Sequence, residues 1–249
     1  MSRIIDFLFP PSCVSCGETL KGEDTKKGAL PKGQNALCPD CRAEWEREKL
    51  RICRVCGLPM VDCRCMRGVM HRAGCETLLR LCTYHGGEQK TVNALVFCMK
   101  RDALERCEAF LATQLAAVMR HFLSEQEEEG WIFTNVPRRQ SSVIKYGYDH
   151  AARLAEMTAE RLGLPYAPLL KRRSEGREQK ALSSEERAKN VLGIFDASPF
   201  SEQIAGRKII LIDDVVTTGS SMAESSKALF MAGASRIVCA CVASTETKF

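Results

Sequence analysis

Two adjacent carboxylates follow a short apolar run near the end of the chain. The segment KIILIDDVVTTGSSM, residues 208–222, places Asp213 and Asp214 directly after that run. Carboxylate oxygens accept hydrogen bonds from the hydroxyl groups of a sugar. A loop of small residues comes next and consists of Thr217, Thr218, Gly219, Ser220 and Ser221. At the start of a helix, the N–H groups and hydroxyls of this loop would donate to an anion, so the segment predicts a sugar phosphate pocket.

A strand and a helix must hold these residues in place. The β-branched residues Ile209, Ile210 and Ile212 form a short apolar run, which indicates a strand buried on both faces. Both aspartates then fall at the carboxyl end of this strand, where ligands bind in open α/β sheets. The alternative to a ligand site is a purely structural segment, in which a strand, a turn and a capped helix bind nothing. Adjacent carboxylates repel each other and need a cation or donors nearby, which favours the ligand site.

The same segment resembles the signature of the type I phosphoribosyltransferases, which is a strand, two acidic residues and a T-T-G-x-S type loop. The resemblance implies that Asp213 and Asp214 hold the ribose hydroxyls of phosphoribosyl pyrophosphate and that the loop holds its 5-phosphate. It also implies Mg²⁺ between the ribose and pyrophosphate oxygens. Purine-salvage relatives carry an acidic residue at the place of Thr217, where it can exchange a proton with the purine base. This chain has no acid at that position, which argues against purine salvage.

Paired cysteines dominate the N-terminal part of the chain. The pairs are Cys13 with Cys16, Cys38 with Cys41, Cys53 with Cys56, and Cys63 with Cys65. A C-x-x-C turn brings two thiolates to one metal ion, and two such turns complete a tetrahedral site. The spacing therefore predicts two structural zinc sites with four cysteines each. An iron-sulfur cluster and unligated reduced thiols are the alternatives, and the second of these suits the remaining cysteines, which lack this clustering.

The composition is that of an ordinary globular protein. The 249 residues are 45% hydrophobic and 27% charged. The N-terminal apolar run is interrupted by Asp6 and stopped by Pro10 and Pro11, so it is too broken for the apolar segment of a signal peptide. No apolar run approaches the roughly 20 residues that span a bilayer. We expect a cytoplasmic protein without a membrane span, in which the 14 cysteines stay reduced and the closely paired ones serve metal ligation.

The chain changes character after the last cysteine pair. We expect a small zinc-ribbon domain over residues 1–72 and a second domain over residues 73–249. In the second domain, apolar spacing predicts helices over residues 91–100, 103–122 and 149–162, with strands over residues 132–136 and 167–170. Strands that alternate with helices indicate an α/β fold with a parallel sheet flanked by helices.

Several further segments, taken in order, resemble the ComF family of competence-associated, phosphoribosyltransferase-like proteins. These segments are FPPSCVSCG, CRVCGLPM, Tyr84 with Gly86 ahead of Lys100 and Arg101, the Val136-Pro137 pair, and QKALSSEERAKNVLGIF. The resemblance covers nearly the whole chain. It implies a double zinc ribbon, followed by a type I phosphoribosyltransferase-like domain, and a setting in the uptake or use of imported DNA.

The chain departs from the family pattern after Pro137. The family continues with several arginines and then R-G-F-N-Q, whereas this chain has Arg138 and Arg139 and later Tyr146 where an arginine is expected. Pyrophosphate carries charge that cations must neutralise. The cations available to stabilise the leaving group are Lys100, Arg101, Arg138 and Arg139.

Two functions are compatible with these residues. The first is Mg²⁺-dependent binding of phosphoribosyl pyrophosphate, with transfer or removal of the ribosyl phosphate and release of pyrophosphate. The second is a non-catalytic DNA-handling or adaptor protein that uses the pocket as a nucleotide sensor. Its zinc ribbons would bind single-stranded DNA or a DNA-processing protein, and Lys26, Lys27 and Lys32 would supply a basic patch. The four histidines share no spacing with an acid and a serine, so nothing supports a hydrolase triad.

Overall fold

The computed structural model describes residues 11–20, 35–84, 90–101, 105–126, 129–173 and 193–245. Its helices are α1 (Pro39–Lys49), α2 (Gly68–Arg72), α3 (Lys90–Arg101), α4 (Glu105–Ser124), α5 (Gln140–Tyr146), α6 (His150–Leu162), α7 (Ser201–Ile204) and α8 (Ser220–Met231). Its strands are β1 (Thr77–Thr83), β2 (Trp131–Asn135), β3 (Lys171–Arg172), β4 (Phe195–Asp196), β5 (Lys208–Val216) and β6 (Arg236–Ser244). The predicted helices in this part of the chain are confirmed to within two residues.

Four of the described strands form one parallel sheet in the order β1-β6-β5-β2. Parallel neighbours need a connection that crosses one face of the sheet, and helices make these crossings. The strand β5 lies inside the sheet and is buried on both faces along residues 209–212. The predicted α/β parallel sheet is therefore confirmed, with the two aspartates in the carboxyl-terminal half of an internal strand.

Alternate side chains of β5 contribute to two separate hydrophobic clusters. Ile210 and Ile212 pack on the face covered by α3, α4 and α6. Ile209 and Leu211 pack on the face covered by α2 and α8. Because successive side chains of a strand point to opposite faces, Asp213 continues toward the α8 face and the residue after it toward the α6 face.

The longest described helix, α4, covers one face of the sheet. Its apolar residues lie against α6 and β1, and it carries ionisable residues such as Arg106, Glu108 and Arg120 along its 20 residues. This pattern is typical of an amphipathic helix on a sheet. Within the described residues, no helix is both long enough and apolar enough to span a bilayer.

The N-terminal cysteine-rich segment packs directly on the sheet domain through α1. Trp45 is fully buried, and its ring lies 5.9 Å from that of Phe110 in α4. Lys49 Nζ donates to Gln114 Oε1 at 2.8 Å, and Thr91 Oγ1 donates to Glu44 Oε2 at 2.7 Å. The first cysteine group and the helices of the sheet domain thus share one hydrophobic cluster.

The predicted strand over residues 167–170 is wrong. In the described segment 129–173, residue Tyr166 makes a single bridge with Phe133, and the extended pairing begins only at β3, which is antiparallel to β4. Pro165 and Pro168 interrupt this stretch, and proline has no N–H to donate to a ladder. In the four-stranded sheet, β2 lies on one side of β5, and β6 followed by β1 lies on the other.

Candidate functional site

Asp213 lies in a pocket at the carboxyl end of β5. The pocket holds about 220 Å³ of open space. Its lining consists of Asp213, Val215, Val216, Thr217, Thr218, Gly219, Ser220, Ser221 and Met222. The structure therefore brings the first aspartate and all five predicted loop residues together around one opening, at the edge of a parallel sheet where ligands bind.

The loop reaches the pocket by a tight turn at Gly219. This residue has φ +77°, which disfavours other residues, and a Cβ atom there would lie 3.0 Å from the side chain of Met70. Thr218 Oγ1 lies 3.0 Å from Ser220 Oγ and accepts from Ser220 N at 3.3 Å. The helix α8 begins directly after the turn, so its positive end faces the pocket.

The second aspartate is held by two cationic or ionisable groups on the other face of β5. His150 Nε2 hydrogen-bonds to Asp214 Oδ2, and Lys100 Nζ lies 3.0 Å from the same oxygen. Burial raises the pKa of Asp214, but the hydrogen bond from His150 and the charge of Lys100 outweigh burial and hold this pKa well below its usual range. Asp214 is therefore a buried, ionised carboxylate with both partners in place.

The two carboxylates differ in the protonation state that they favour. Asp214 N donates to Asp213 Oδ1 at 2.9 Å, so the side chain of Asp213 is fixed beside its neighbour. Burial raises the pKa of Asp213, and the adjacent charge of Asp214 raises it further, well above the usual value. Asp213 is enclosed by protein except toward the pocket, and a cation or hydroxyl donors placed there would favour its ionised form.

The four cations predicted to stabilise the pyrophosphate differ in their surroundings. Lys100 is in contact with Asp214. Arg101 is the last residue of α3, and its side chain lies outside the described part of the structure. Arg138 is partly buried and Arg139 exposed. Both follow β2, whose carboxyl end is next to that of β5, because Val136 N donates to the carbonyl of Ile212 at 2.9 Å.

His150 is the site residue that sequence reasoning missed. It stands at the first position of α6, where Asp149 caps the helix by accepting from the N–H groups of Ala151 at 3.0 Å and Ala152 at 3.2 Å. Asp149 also accepts from Arg138 N at 3.0 Å, which joins the start of α6 to the segment after β2. An Asp-His pair at the start of a helix, in the place of the family's N-Q, was the available signal.

Tyr148 joins α3 to the same site. Its hydroxyl donates to the carbonyl of Met99, one residue before Lys100. Burial raises the pKa of Tyr148 to about 12, so the hydroxyl stays protonated and remains a donor. This bond ties the residue before Lys100 to the segment that leads into α6, the helix that begins at His150.

Two groups of four cysteines lie in the N-terminal segment. They are Cys13, Cys16, Cys38 and Cys41, and Cys53, Cys56, Cys63 and Cys65. Within each group all four sulfur atoms lie within 4.8 Å of one another, which suits one tetrahedral Zn²⁺. These cysteines are free thiols, so the described structure pairs none of them in a disulfide.

The backbone repeats the same metal-binding turn in both groups. Gly17 N donates to the carbonyl of Cys13 and Gly57 N to that of Cys53, each at 2.9 Å. Both glycines have positive φ, +78° and +72°. Burial of Cys13 raises the pKa of its thiol, but backbone N–H groups outweigh burial and lower this pKa to about 7. This turn favours the thiolate of Cys13, the form that binds metal, whereas burial raises the pKa of Cys38 and of Cys41.

Comparison with known proteins identifies both parts of the chain. A double zinc ribbon domain matches residues 4–79, and a phosphoribosyl transferase domain matches residues 149–248. The competence protein ComFC of Streptococcus pneumoniae is 26% identical over 235 residues, which are 89% of this chain and 94% of the relative. Competence protein F of Haemophilus influenzae is 32% identical over 92 residues, which are 36% of this chain and 40% of the relative.

Two larger proteins are among the solved structures that the chain matches in part. One is described as the allosteric regulatory enzyme of purine biosynthesis, with 23% identity and a TM-score of 0.35; the match covers 54% of this chain and 25% of that one. The other is glutamine phosphoribosylpyrophosphate amidotransferase from B. subtilis, with 19% identity and a TM-score of 0.35; the match covers 72% of this chain and 31% of that one.

Proposed function

Because the chain belongs to the ComF family of competence-associated, phosphoribosyltransferase-like proteins, we propose that its pocket binds phosphoribosyl pyrophosphate. The proposal rests on one observation, which is that Asp213 and the loop 217–221 line the same opening. The loop and the start of α8 supply donors for the 5-phosphate. The carboxylate of Asp213 accepts from the ribose hydroxyls at the other side of the opening.

A divalent cation fits the carboxylate in this pocket. Asp213 has a carboxyl group that burial and Asp214 push toward the protonated form, and a nearby cation would reverse that preference. Oxygen donors of this kind suit Mg²⁺, which binds through one or two carboxylates together with substrate phosphates. When bound, Mg²⁺ would neutralise charge on the pyrophosphate. Asp213 is the residue of this chain that would approach it, while Asp214 keeps the adjacent position rigid.

In the catalytic form of the proposal, pyrophosphate leaves from the ribose and an acceptor takes its place. Charge then develops on the leaving oxygens, so preorganised cations stabilise the transition state. Arg138 and Arg139 are suited to this role because they follow β2, the strand next to β5. Lys100 contributes mainly through Asp214, whose negative charge it offsets.

The Lys100–Asp214 contact also favours a second candidate function. It engages one of the four predicted cations with the protein's own carboxylate, in a chain that already has Tyr146 where the family pattern has an arginine. A pocket with fewer cations for pyrophosphate would bind its ligand without releasing pyrophosphate. The chain would then act as a nucleotide sensor that binds single-stranded DNA or a DNA-processing protein. The basic patch of Lys26, Lys27 and Lys32 lies outside the described residues.

Calorimetry of phosphoribosyl pyrophosphate with Mg²⁺ tests the shared part of both candidates. Wild type is expected to bind, and Asp213→Asn is expected to weaken binding because it removes an acceptor for the ribose hydroxyls and a cation ligand. Glu202→Gln serves as the matched control, because it replaces an exposed carboxylate in α7 by an amide. This variant should bind as wild type does. Absence of binding in the wild type would exclude both candidates. A pyrophosphate release assay then separates transfer from sensing.

A further inference from the structure

The chain that leaves the second cysteine group passes directly against the phosphate loop. Cys65 is the last cysteine of that group, and α2 begins three residues later at Gly68. Met70 in α2 is fully buried, and its side chain fills the space beside Gly219 that a Cβ atom would need. The helix α2 packs against α8, which the loop introduces. The second cysteine group is therefore joined to the loop 217–221 by a short and well-packed segment.

Arg67 lies at the centre of this contact. Its Nη2 donates to Thr245 Oγ1 at 2.7 Å, and the same hydroxyl donates to the carbonyl of Thr217 at 2.8 Å. Thr245 N donates to the carbonyl of Val216 at 3.0 Å. The Cδ atom of Arg67 lies 3.5 Å from the position of a Cβ atom on Gly219. A guanidinium with five N–H donors thus stands beside the loop that would hold the phosphate.

A buried arginine bonds to the residue next to Thr245. Arg80 in β1 is 4% exposed and donates from Nη1 to Ser244 Oγ at 2.7 Å. Its Nε and Nη2 have no hydrogen-bond partner among the described residues. The partners of the two arginines, Ser244 and Thr245, are adjacent in the chain, so both guanidinium groups lie at the carboxyl end of β6.

We propose that Arg67 binds the phosphate group held by the loop 217–221, and that the second cysteine group fixes the position of Arg67. The inference rests on the proposed binding of phosphoribosyl pyrophosphate. Arg67 is partly exposed and adjoins the loop, and a bound phosphate would meet its guanidinium while Nη2 keeps its bond to Thr245. Arg80 adds positive charge nearby through its buried position beside Ser244.

A purely structural role for Arg67 has different consequences. As a structural tie, the Arg67–Thr245 bond would hold the segment after Cys65 against β6, and its loss would lower stability without a specific effect on phosphate. As a phosphate ligand, Arg67 contributes a charge-assisted hydrogen bond to each phosphorylated ligand. The two roles are separated by binding measurements on variants whose stability is measured in parallel.

The test is calorimetry of the full chain with phosphoribosyl pyrophosphate and Mg²⁺. Arg67→Met is expected to weaken binding about tenfold to a hundredfold, the loss of one hydrogen bond to a charged group. Arg67→Lys should restore part of the affinity, because it keeps the charge but not the planar fork. Arg72→Met removes an exposed arginine from α2, the helix that follows Arg67, and should leave the affinity unchanged.

The outcomes separate this inference from the proposed function. Wild-type binding that Arg67→Met leaves unchanged would overturn the role of Arg67 and leave the pocket assignment standing. No binding by wild type would remove the proposed function, and this inference with it. Equal losses in Arg67→Met and Arg72→Met would also count against the inference. The unfolding midpoint of each variant shows whether it is folded at the temperature of the titration.

Cys65→Ser tests the contribution of the second cysteine group. Zinc content should fall from about two to about one per chain, since one of four ligands is lost. Affinity for phosphoribosyl pyrophosphate should fall to that of Arg67→Met, and the double variant should be no weaker than either single variant, because both act through one contact. Wild-type affinity in Cys65→Ser, or additive losses in the double variant, would refute the positioning role.

Discussion

His150 Nε2 is hydrogen-bonded to Asp214 Oδ2 across 64 residues of sequence. This bond joins the start of α6 to the second of two adjacent carboxylates in β5. Lys100 Nζ, 3.0 Å from the same oxygen, completes the arrangement. The consequence is a division of roles, in which Asp214 is neutralised within the protein and Asp213 is left to face the pocket.

The two aspartates are expected to respond oppositely to amide substitution. Asp214→Asn leaves His150 and Lys100 without their acceptor, and breaking a buried pair in this way lowers the free energy of unfolding by about 3 kcal/mol. Asp213→Asn removes a carboxyl group whose pKa is raised, so the free energy of unfolding at pH 7 should be equal or higher. Urea unfolding of both variants tests this contrast. A larger loss of stability in Asp213→Asn would contradict the assignment.

Replacement of His150 should reveal the strength of its bond to Asp214. His150→Leu removes the donor, and the free energy of unfolding should fall by about 1–3 kcal/mol because a charged acceptor loses a hydrogen bond. His150→Gln keeps an N–H donor and should lose less. Urea unfolding at pH 7 measures both variants, with His121→Gln, an exposed histidine, as the control. Equal stability of His150→Leu and wild type would exclude a stabilising bond.

The pH dependence of stability should carry the signature of Asp214. Its pKa is lowered in the folded state, so its contribution is fully present above the unfolded value of about 4. The contribution is lost as the pH falls from there through the lower, folded pKa. Denaturant unfolding between about pH 5 and pH 2.5 should show a steeper loss in wild type than in Asp214→Asn. Parallel pH profiles of the two proteins would count against a lowered pKa.

Ligand binding should release a proton from Asp213. The pKa of this carboxyl is raised in the free protein, and ribose hydroxyls with Mg²⁺ favour the ionised form. Calorimetry of phosphoribosyl pyrophosphate with Mg²⁺ in buffers of different ionisation enthalpy measures the number of protons released. Release should diminish in Asp213→Asn at ligand concentrations that still saturate it. Identical proton release in that variant would assign the proton to another group.

The turn at Gly219 should not tolerate a side chain. Gly219→Ala introduces strain at φ +77° and a contact with Met70, and together these should cost about 1–3 kcal/mol of unfolding free energy. Gly163→Ala has a similar φ of +67° and nothing within 4 Å of the added carbon, so it isolates the cost of the backbone angle. Thermal unfolding of both variants gives the comparison. A smaller loss in Gly219→Ala than in Gly163→Ala would disprove the close contact.

The two metal sites should differ in their effect on Trp45. Wild type should contain about two zinc ions per chain, and either Cys41→Ser or Cys56→Ser should lower this to about one. Trp45 packs on Phe110 in the hydrophobic cluster that includes the first cysteine group. Cys41→Ser should therefore shift tryptophan emission to longer wavelength, whereas Cys56→Ser should not. A similar shift in both variants would contradict this separation.

The sequence by itself determined the parts whose chemistry is local. The cysteine spacing predicted both metal groups, because a C-x-x-C turn is built within a few residues. The apolar run, the two aspartates and the loop 217–221 predicted a strand, a pocket and a helix start in the right order, since all of them belong to one continuous segment. Alternation of strands and helices predicted the parallel sheet.

Only the tertiary structure decided which groups meet across the chain. The two aspartates looked equivalent in the sequence, but strand geometry directs them to opposite faces, where α6 brings His150 to one and the pocket opens at the other. Arg67 follows a cysteine pair and gave no sign of a role, and it reaches the phosphate loop only because α2 packs on α8. Such contacts depend on how elements pack over long sequence separations, which residue order alone does not specify.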